Sequence, residues 1–261
     1  MQFSVIRNDI SLMDTDAIVV PSNSYLKPGH GTAKTVYEKA GENQLSKACE
    51  EVVKRNGRFL VGDATHTLGF DLPAKYIVHA IVPRWRGGRH EEDICLAMAY
   101  ISSLREADNI GCKSIAIPIL SAGNNGFEPS YAIKIAIESI LEYQPKYDLQ
   151  RVILVPYDYK TVNIFKDSGI EVEELIDQQY VLQNDERYKL PLRRSIEKNL
   201  DQGAKGLRKF ADDSKTRMKE MFDDPIVKER VNEKAADVLL NKETLKTIWD
   251  IGSKIVARIK K

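Results

Sequence analysis

Two glycine-containing segments carry residue types that bind phosphate. The first is Asn23–Ala33 (NSYLKPGHGTA) and the second is Ile119–Phe127 (ILSAGNNGF), and each follows an apolar run and precedes a helical pattern. Glycine lets the backbone approach a ligand closely, and the successive N–H groups at the start of a helix bind phosphate. In open α/β sheets, ligands bind at the carboxyl ends of buried strands. The pair of segments therefore predicts a cleft that closes over a diphosphate from two sides.

Histidine and cysteine do not form a second reactive pattern in this sequence. His30 lies in the first glycine segment, where it could contact a phosphate or position a water molecule, whereas His79 lies inside an apolar run and is predicted to be a core residue. Cys49, Cys95 and Cys112 are far apart and lack a CxxC spacing, which predicts free thiols rather than disulfides or a zinc site. Because no cluster has the spacing of metal ligands, we expect no metal and no cofactor.

The elements that must position these segments alternate along residues 1–160. Several predicted strands are near-continuous apolar runs (AIVV, YIVHAIV, SIAIPIL, VILV), as in strands covered on both faces. Helical apolar spacing recurs over Ile94–Ala107 and Ala132–Leu141, and a short helix is expected near 161–168. This alternation predicts an α/β sandwich around a mainly parallel sheet. The strands are expected at Phe3–Ile6, Ala17–Pro21, Ala64–Leu68, Tyr76–Val82, Ser114–Leu120 and Val152–Tyr157.

The composition is that of an ordinary globular protein, since 43% of the 261 residues are apolar and 30% are charged. No stretch approaches the roughly 18–20 apolar residues of a membrane-spanning helix. The N-terminus, MQFSVIRNDIS, lacks the pattern of a secretory signal. We therefore expect a cytoplasmic protein.

The formal charge changes sign along the chain. Residues 181–261 hold 20 basic and 14 acidic residues, a net charge of +6, while residues 1–180 hold the other 19 basic and 24 acidic residues, a net charge of −5. Such an asymmetry indicates two domains. We predict a first domain over 1–177, a linker over 178–190, with a connector around Ile176–Asn184, and a smaller all-α domain over 191–261. Its helices are expected near 191–203, 205–222, 225–240 and 243–260.

The helical region 191–261 has three open roles. It could pack against the first domain or against a second copy of the chain, or it could bind a protein partner and be switched by ligand occupancy in the first domain. The basic amphipathic run 243–260 could instead lie on a membrane surface, which is the less favoured alternative. Its basic residues are interspersed with acidic ones, so the region does not predict a nucleic-acid-binding patch.

Several blocks within residues 1–177 resemble the macrodomain family. The blocks are Asp9-Ile10, Asp16–Asn23, the first glycine segment up to Ala40-Gly41, Gly62–Thr65, Gly69–Pro73, Ile77–Ala80, Ser114–Pro118 and Ser121–Gly123. The resemblance implies a three-layer α/β/α fold with a mixed, mostly parallel central sheet. It also implies a cleft that holds ADP-ribose, free or attached to a protein. It does not extend to residues 181–261.

The resemblance implies roles for individual residues. Asp9 resembles the acidic residue that accepts a hydrogen bond from the adenine amino group, Ile10 offers a backbone contact, and Tyr157 resembles an aromatic residue near adenine. Asn23 resembles the asparagine that faces the distal ribose. The phosphate loops are represented by Gly29, Gly31, Thr32 and Ala33, with His30 among them, and by Ser121, Ala122, Gly123, Asn124, Asn125, Gly126 and Phe127.

Two departures from the family pattern concern catalysis. The hydrolytic cellular branch has an aspartate where this chain has Ala33, and a side chain without a titratable group cannot act as a general base. Viral macrodomains also have alanine there, and several of them are hydrolases. The second loop of the family usually carries an aromatic residue where this chain has Asn125. The resemblance implies that this loop keeps the backbone contacts to the diphosphate. It also implies that the distal ribose is positioned differently than in the family, because the aromatic residue is absent.

Two functions of different classes therefore stay open. The favoured one is a binding module for ADP-ribose or a related NAD-derived nucleotide, free or linked to a protein. The alternative is a hydrolase that removes ADP-ribose from an acidic side chain or deacetylates O-acetyl-ADP-ribose. In that mechanism the substrate orients the water and Asn23 is the catalytic residue. A third, weaker interpretation is an α/β nucleotide-binding protein unrelated to ADP-ribose.

Overall fold

The computed structural model describes residues 1–185, which form a seven-stranded sheet in the order β3-β4-β2-β5-β6-β1-β7. Only the β3–β4 pair is antiparallel, so the predicted mixed, mostly parallel sheet is confirmed. The strands are β1 (Gln2–Arg7), β2 (Ala17–Ser22), β3 (Ala64–Leu68), β4 (Tyr76–Ile81), β5 (Ser114–Pro118), β6 (Arg151–Val155) and β7 (Glu173–Glu174).

Helices cover both faces of this sheet. They are a 3₁₀ turn (Ile10–Leu12), α1 (Thr32–Ala40), α2 (Glu42–Asn56), α3 (Glu92–Asn109), α4 (Pro129–Glu142), α5 (Tyr159–Asp167) and α6 (Gln178–Asn184). Helices α1 and α2 pack on one face of the sheet, and α3, α4 and α5 pack on the other. Along β2, Ile18 and Val20 belong to the core on the α1–α2 side, and Val19 belongs to the core on the opposite side. Burial on both faces is the physical reason for the continuous apolar runs.

Three predicted strands end earlier than their apolar runs. β4 stops at Ile81, β5 at Pro118 and β6 at Val155, so the last residues of each run belong to the loops that follow. Leu120 shows why the sequence pattern overestimates these strands, because it is fully buried in the core although it lies beyond the sheet. Apolar character reports burial and does not distinguish a strand from a buried loop.

The segment predicted to be a connector contains a short helix. Residues 178–184, which the sequence assigns to the linker, form α6. Asp177 caps it by accepting a hydrogen bond from the backbone N–H of Tyr180 at 2.8 Å, and Val181 is fully buried. With one buried position in seven residues, the helix has too short an apolar pattern to be recognised in the sequence. The four helices predicted from 191 onward lie outside the described residues.

Among residues 1–185, no helix has the length and apolarity needed to cross a membrane.

Candidate functional site

Five of the six parallel strands present their carboxyl ends side by side along one edge of the sheet. Because the strand order is β4-β2-β5-β6-β1, the loops after these strands lie side by side in that order. With strands about 4.8 Å apart, the row of five spans roughly 19 Å. The predicted site residues fall on four of these loops, so the topology brings together residues that lie between positions 9 and 157 of the chain.

The two glycine segments meet in the middle of this row. Asn23–Gly31 follows β2 and the Ser121–Phe127 segment follows β5, which is the parallel neighbour of β2. A Cβ atom added to Gly31 would lie 3.6 Å from the side-chain nitrogen of Asn124. The loops are therefore in direct apposition, as the predicted diphosphate cleft requires.

The first loop ends in an uncapped helix start. Gly31 has φ 61° and precedes α1, whose first N–H groups receive no side-chain hydrogen bond from the N-cap residue. Such N–H groups, with the positive end of the helix dipole, bind anions. Thr32 and Ala33 occupy this first turn, while His30 is exposed at the rim. These are the atoms in the first loop best placed for a phosphate.

Ala33 can offer a ligand only its backbone, because its methyl side chain has no polar or titratable group. It is 5% exposed, and its Cβ lies 3.4 Å from the position that a Cβ on Gly29 would take. The methyl group belongs to the apolar core on the α1–α2 side of the sheet. A larger acidic side chain at position 33 would have to displace the loop at Gly29 or bury a charge.

The Asn23 side chain shapes the first loop. Its Oδ1 accepts hydrogen bonds from the backbone N–H of Tyr25 at 3.1 Å and of Lys27 at 3.2 Å, and its Nδ2 donates to the Lys27 carbonyl at 2.9 Å. The acceptor capacity of the amide oxygen is thereby used, but the NH₂ group has a second hydrogen. Asn23 can thus hold the loop and still donate to a ligand hydroxyl.

A buried polar network supports this loop from below. The Tyr37 hydroxyl donates to the Leu26 carbonyl and lies 3.2 Å from the Cys49 sulfur. Fully buried His79 joins Cys49 at 3.7 Å to Ser22 at 3.2 Å, directly before Asn23. Burial disfavours the imidazolium and lowers the pKa of His79 to about 3, so the ring is neutral. The prediction that His79 is a core residue is confirmed.

The second loop is a closed turn. Ser121 adopts φ 62° and is 5% exposed, and its carbonyl accepts a hydrogen bond from the Phe127 N–H at 3.1 Å. Within the turn, the Gly126 N–H donates to the Gly123 carbonyl at 3.0 Å. Ala122, Asn124 and Asn125 lie between these contacts, and Asn124 and Asn125 are exposed or half-buried at the cleft.

The Phe127 side chain is buried beneath the second loop, so a ligand in the cleft could meet only its backbone. It is 2% exposed and packs against Trp85, with ring centroids 4.9 Å apart, and against Tyr131, with centroids 6.5 Å apart. The aromatic ring is therefore part of the support beneath the loop, because burying it among other rings stabilises it more than exposure at the cleft would.

The loop after β4 supports the second glycine loop, a contact that sequence reasoning missed. The Trp85 N–H donates to the Asn125 carbonyl at 2.8 Å, and the Ser121 hydroxyl donates to the Pro83 carbonyl at 2.9 Å. Arg84, Arg86, Arg89 and His90 are exposed on the same loop. The signal in the sequence is this cluster of basic residues directly after a buried strand.

The buried carboxylate of Glu92 holds the backbone of the loop after β4, which carries these basic residues. It is 3% exposed, and its carboxylate accepts hydrogen bonds from the backbone N–H groups of Arg86 at 2.9 Å and His90 at 2.8 Å. Burial opposes the ionised form, but these and neighbouring backbone donors outweigh it, and the pKa of Glu92 is lowered.

Asp9 marks the other end of the row, after β1. Its carboxylate is 5% exposed and accepts hydrogen bonds from Ser11, from Lys39 and from the hydroxyl of Tyr180. Burial acts to raise the pKa of Asp9, but the two Ser11 hydrogen bonds, the Lys39 charge and the Tyr180 hydrogen bond together lower it. The Asp9 carboxylate is therefore held in its charged form.

Tyr157 and Ile10 flank Asp9 on the neighbouring elements. Tyr157 follows β6, the parallel neighbour of β1, and is half-buried. Its carbonyl accepts a hydrogen bond from the Nε of Arg7 at 3.3 Å. The Ile10 side chain is buried in the core, so only its backbone is suited to a ligand contact.

Within the described part of the chain, the candidate site contains neither a metal-binding cluster nor a disulfide. Residues 1–185 contain no group of three or more His, Cys, Asp or Glu side chains that could hold a metal ion, and Cys49, Cys95 and Cys112 are free thiols.

A mostly parallel sheet with apposed anion-binding loops at its carboxyl edge is typical of α/β nucleotide-binding proteins. The Macro domain family model matches residues 19–136. An O-acetyl-ADP-ribose deacetylase from Enterobacter sp. (strain 638) is 35% identical over 166 residues, which are 63% of this chain and 92% of that protein. A macro domain-containing protein from Caldanaerobacter subterraneus is 32% identical over 173 residues, or 66% of this chain and 98% of that protein. The chain belongs to the macrodomain family.

Solved structures agree with this assignment. The Oceanobacillus iheyensis macrodomain with ADP is 28% identical, with a TM-score of 0.58 over 62% of this chain and 87% of that chain. The Trypanosoma brucei macrodomain in complex with ADP-ribose is 24% identical, with a TM-score of 0.53 over 62% of this chain and 66% of that chain, and shows the shared fold.

Proposed function

We propose that the cleft binds ADP-ribose or a related NAD-derived nucleotide, either free or attached to a protein. The observation that carries this proposal is the order of groups along the sheet edge. A buried carboxylate, Asp9, lies after β1 at one end of the row, and the two apposed glycine loops follow β5 and β2, with the amide donor Asn23 at the start of the loop after β2. This order matches a ligand with a base, a diphosphate and a distal ribose.

Backbone dipoles supply the phosphate affinity in this proposal. In this proposal the diphosphate is held from one side by the uncapped N–H groups at the start of α1 and from the other by backbone N–H groups of the Ser121–Phe127 turn other than those of Gly126 and Phe127, which donate within the turn. Fixed dipoles in a site of low dielectric stabilise a diphosphate without a metal ion. The relatives described above as an O-acetyl-ADP-ribose deacetylase and as a macrodomain with ADP support a ligand of this class.

A hydrolase is the second candidate, favoured by the relative named O-acetyl-ADP-ribose deacetylase at 35% identity. Ala33 is buried and has no titratable group, so the attacking water would be oriented by the substrate diphosphate, with the Asn23 amide holding the distal ribose. Exposed His30, at the rim of the first loop, is the only histidine of the two glycine loops. Each of these groups is within the same cleft, so binding is common to both candidates.

Thermal unfolding with added nucleotide tests the binding proposal. ADP-ribose at about 100 times its dissociation constant should stabilise the folded chain by about 2.7 kcal/mol. Absence of any shift, together with absence of heat in calorimetric titration, would refute the proposal. Incubation with a mono-ADP-ribosylated protein and with O-acetyl-ADP-ribose then distinguishes the candidates. Binding without turnover selects the binding module, and turnover lost in Asn23→Ala selects the enzyme.

The cytoplasmic location and the partner roles of 191–261 stay predictions. The helical region lies outside the described residues, so a protein partner or self-association through it rests on the sequence pattern alone. Comparing the sedimentation of the full chain with that of residues 1–185 tests self-association directly.

A further inference from the structure

The acceptor positions of Asp9 are all occupied by donors from the protein itself. An ionised carboxylate offers about four lone-pair positions. Oδ1 accepts from the backbone N–H of Ser11 at 3.0 Å and from the Ser11 hydroxyl at 2.6 Å. Oδ2 accepts from the Lys39 ammonium at 3.3 Å and from the Tyr180 hydroxyl at 3.0 Å. An amino group of a nucleotide base would therefore find no vacant acceptor on Asp9.

These four donors are not equally able to withdraw. Both donors of Ser11 belong to the 3₁₀ turn that Asp9 itself caps, and Ser11 is 1% exposed. The Lys39 ammonium compensates the carboxylate charge, so its loss would leave a buried anion less well paired. The Tyr180 hydroxyl is neutral, comes from an element 171 positions away, and can exchange Asp9 for water. Tyr180 is the donor that a ligand displaces at least cost.

Helix α6, which carries Tyr180, is held by few contacts. Its apolar anchor is Val181, which is fully buried. Its polar anchor is Gln178, whose Oε1 accepts from the Nη2 of Arg7 at 2.9 Å, while the Nη1 of Arg7 bonds Glu174 at 2.7 Å. A helix of seven residues has little intrinsic stability. Elements of this kind open at a free energy well below that of global unfolding.

We propose that Tyr180 is an intramolecular competitor for Asp9 and sets the affinity of the cleft for nucleotides whose base carries an amino group. This inference rests on the proposed function, because it assumes that Asp9 receives the base. When the Tyr180 hydroxyl bonds Asp9, the base loses its acceptor, and when the base is bound, Tyr180 loses its own partner. Linkage makes the effect reciprocal, so base binding weakens the docking of α6 by the same factor.

The competition for Asp9 also concerns the part of the chain that follows α6. Helix α6 ends at Asn184, and the basic helical region predicted from the sequence follows it. Because α6 is joined directly to that region, a change in the docking of α6 affects the point at which the region begins. The described residues thus contain a connection from the base end of the cleft to the C-terminal part of the protein.

Calorimetric titration of the full chain tests the proposal. Tyr180→Phe keeps the ring and removes the competing hydrogen bond, so ADP-ribose should bind about tenfold more tightly. The matched control is Tyr147→Phe, which removes a hydroxyl from a 60% exposed residue and should leave affinity unchanged. The hypoxanthine counterpart of ADP-ribose, with an oxygen in place of the amino group, should gain no affinity in Tyr180→Phe.

Unchanged or weaker binding of ADP-ribose by Tyr180→Phe would overturn the competition and leave the proposed function standing. Binding by neither the natural chain nor the variant would refute the proposed function, and the inference with it. Amide hydrogen exchange gives a second readout on the natural chain. Saturating ADP-ribose should accelerate exchange over residues 178–184, whereas increased protection there would show that Tyr180 closes over the ligand, contrary to the proposal.

Discussion

The Ser121 hydroxyl donates to the Pro83 carbonyl at 2.9 Å and so joins the loop after β5 to the loop after β4. Ser121 makes this contact with φ 62°, a left-handed backbone that is strained for a residue with a Cβ atom. The contact and the strain oppose each other at one residue. Substitution by alanine and by glycine separates the two effects.

Ser121→Ala should destabilise the fold more than Ser121→Gly. Alanine loses the buried hydrogen bond and keeps the strain, at a cost of about 1–3 kcal/mol. Glycine loses the same bond but relieves the left-handed strain by roughly 1 kcal/mol. Urea unfolding of the natural chain and the two variants measures the order. An alanine variant as stable as the glycine variant would show that the φ value carries no strain.

Gly31→Ala should impair ligand binding beyond its effect on stability. The new Cβ meets the Asn124 side chain at 3.6 Å, at the junction of the two glycine loops. Gly111→Ala is the matched control, because Gly111 also has a positive φ (76°) but no atom within 4 Å of the added Cβ. Both variants should lose about 1 kcal/mol of stability. Calorimetry should show at least a tenfold loss of ADP-ribose affinity for Gly31→Ala alone.

Asn23→Ala should weaken the binding of ADP-ribose about tenfold more than it weakens the binding of ADP, because losing the loop contacts of Asn23 affects both nucleotides. The amide is proposed to donate to the distal ribose, which ADP lacks, and losing one such donor costs about 1–1.5 kcal/mol. Tyr37→Phe controls for loop disorder, since it removes the hydroxyl that bonds the Leu26 carbonyl without touching the amide. Calorimetric titration of each variant with both nucleotides measures the two losses of affinity. Equal losses for ADP and ADP-ribose in Asn23→Ala would assign the residue a purely structural role.

His79 should make the fold less stable as the solution is acidified from pH 6.5 toward pH 3. Its pKa is about 6.5 when unfolded and about 3 when folded, because burial disfavours the imidazolium. Between these values the unfolded state binds the extra proton, so stability rises with pH and is lost on acidification, by up to about 1.4 kcal/mol per pH unit. Above pH 6.5 the residue contributes no slope.

Urea unfolding at several pH values measures this slope. His79→Gln replaces the ring with a group that does not titrate, and the slope between pH 6.5 and pH 5 should become shallower. His90→Gln, at an exposed position, should leave the slope unchanged. An unaltered slope in His79→Gln would mean that other groups account for the acid sensitivity.

The sequence by itself determined the layers of the fold and the positions of the two glycine loops. Strands such as β2 are buried on both faces, so their apolar runs are local and visible, as in Ile18 and Val19. The glycine segments are equally local signals, because glycine permits the positive φ that Gly31 adopts. The family resemblance extended these signals to Asp9 and Asn23.

Only the tertiary structure decided how these residues are used. It placed the Phe127 ring beneath its loop rather than in the cleft, and it brought Tyr180 to Asp9 across 171 positions. It also brought the backbone N–H of Trp85 to the Asn125 carbonyl, a contact between two loops 40 positions apart in the chain. Periodicity reports whether a residue is buried, but which partners share its hydrogen bonds depends on strand order and on long-range packing. The identity of the groups that compete for Asp9 is therefore a property of the folded chain.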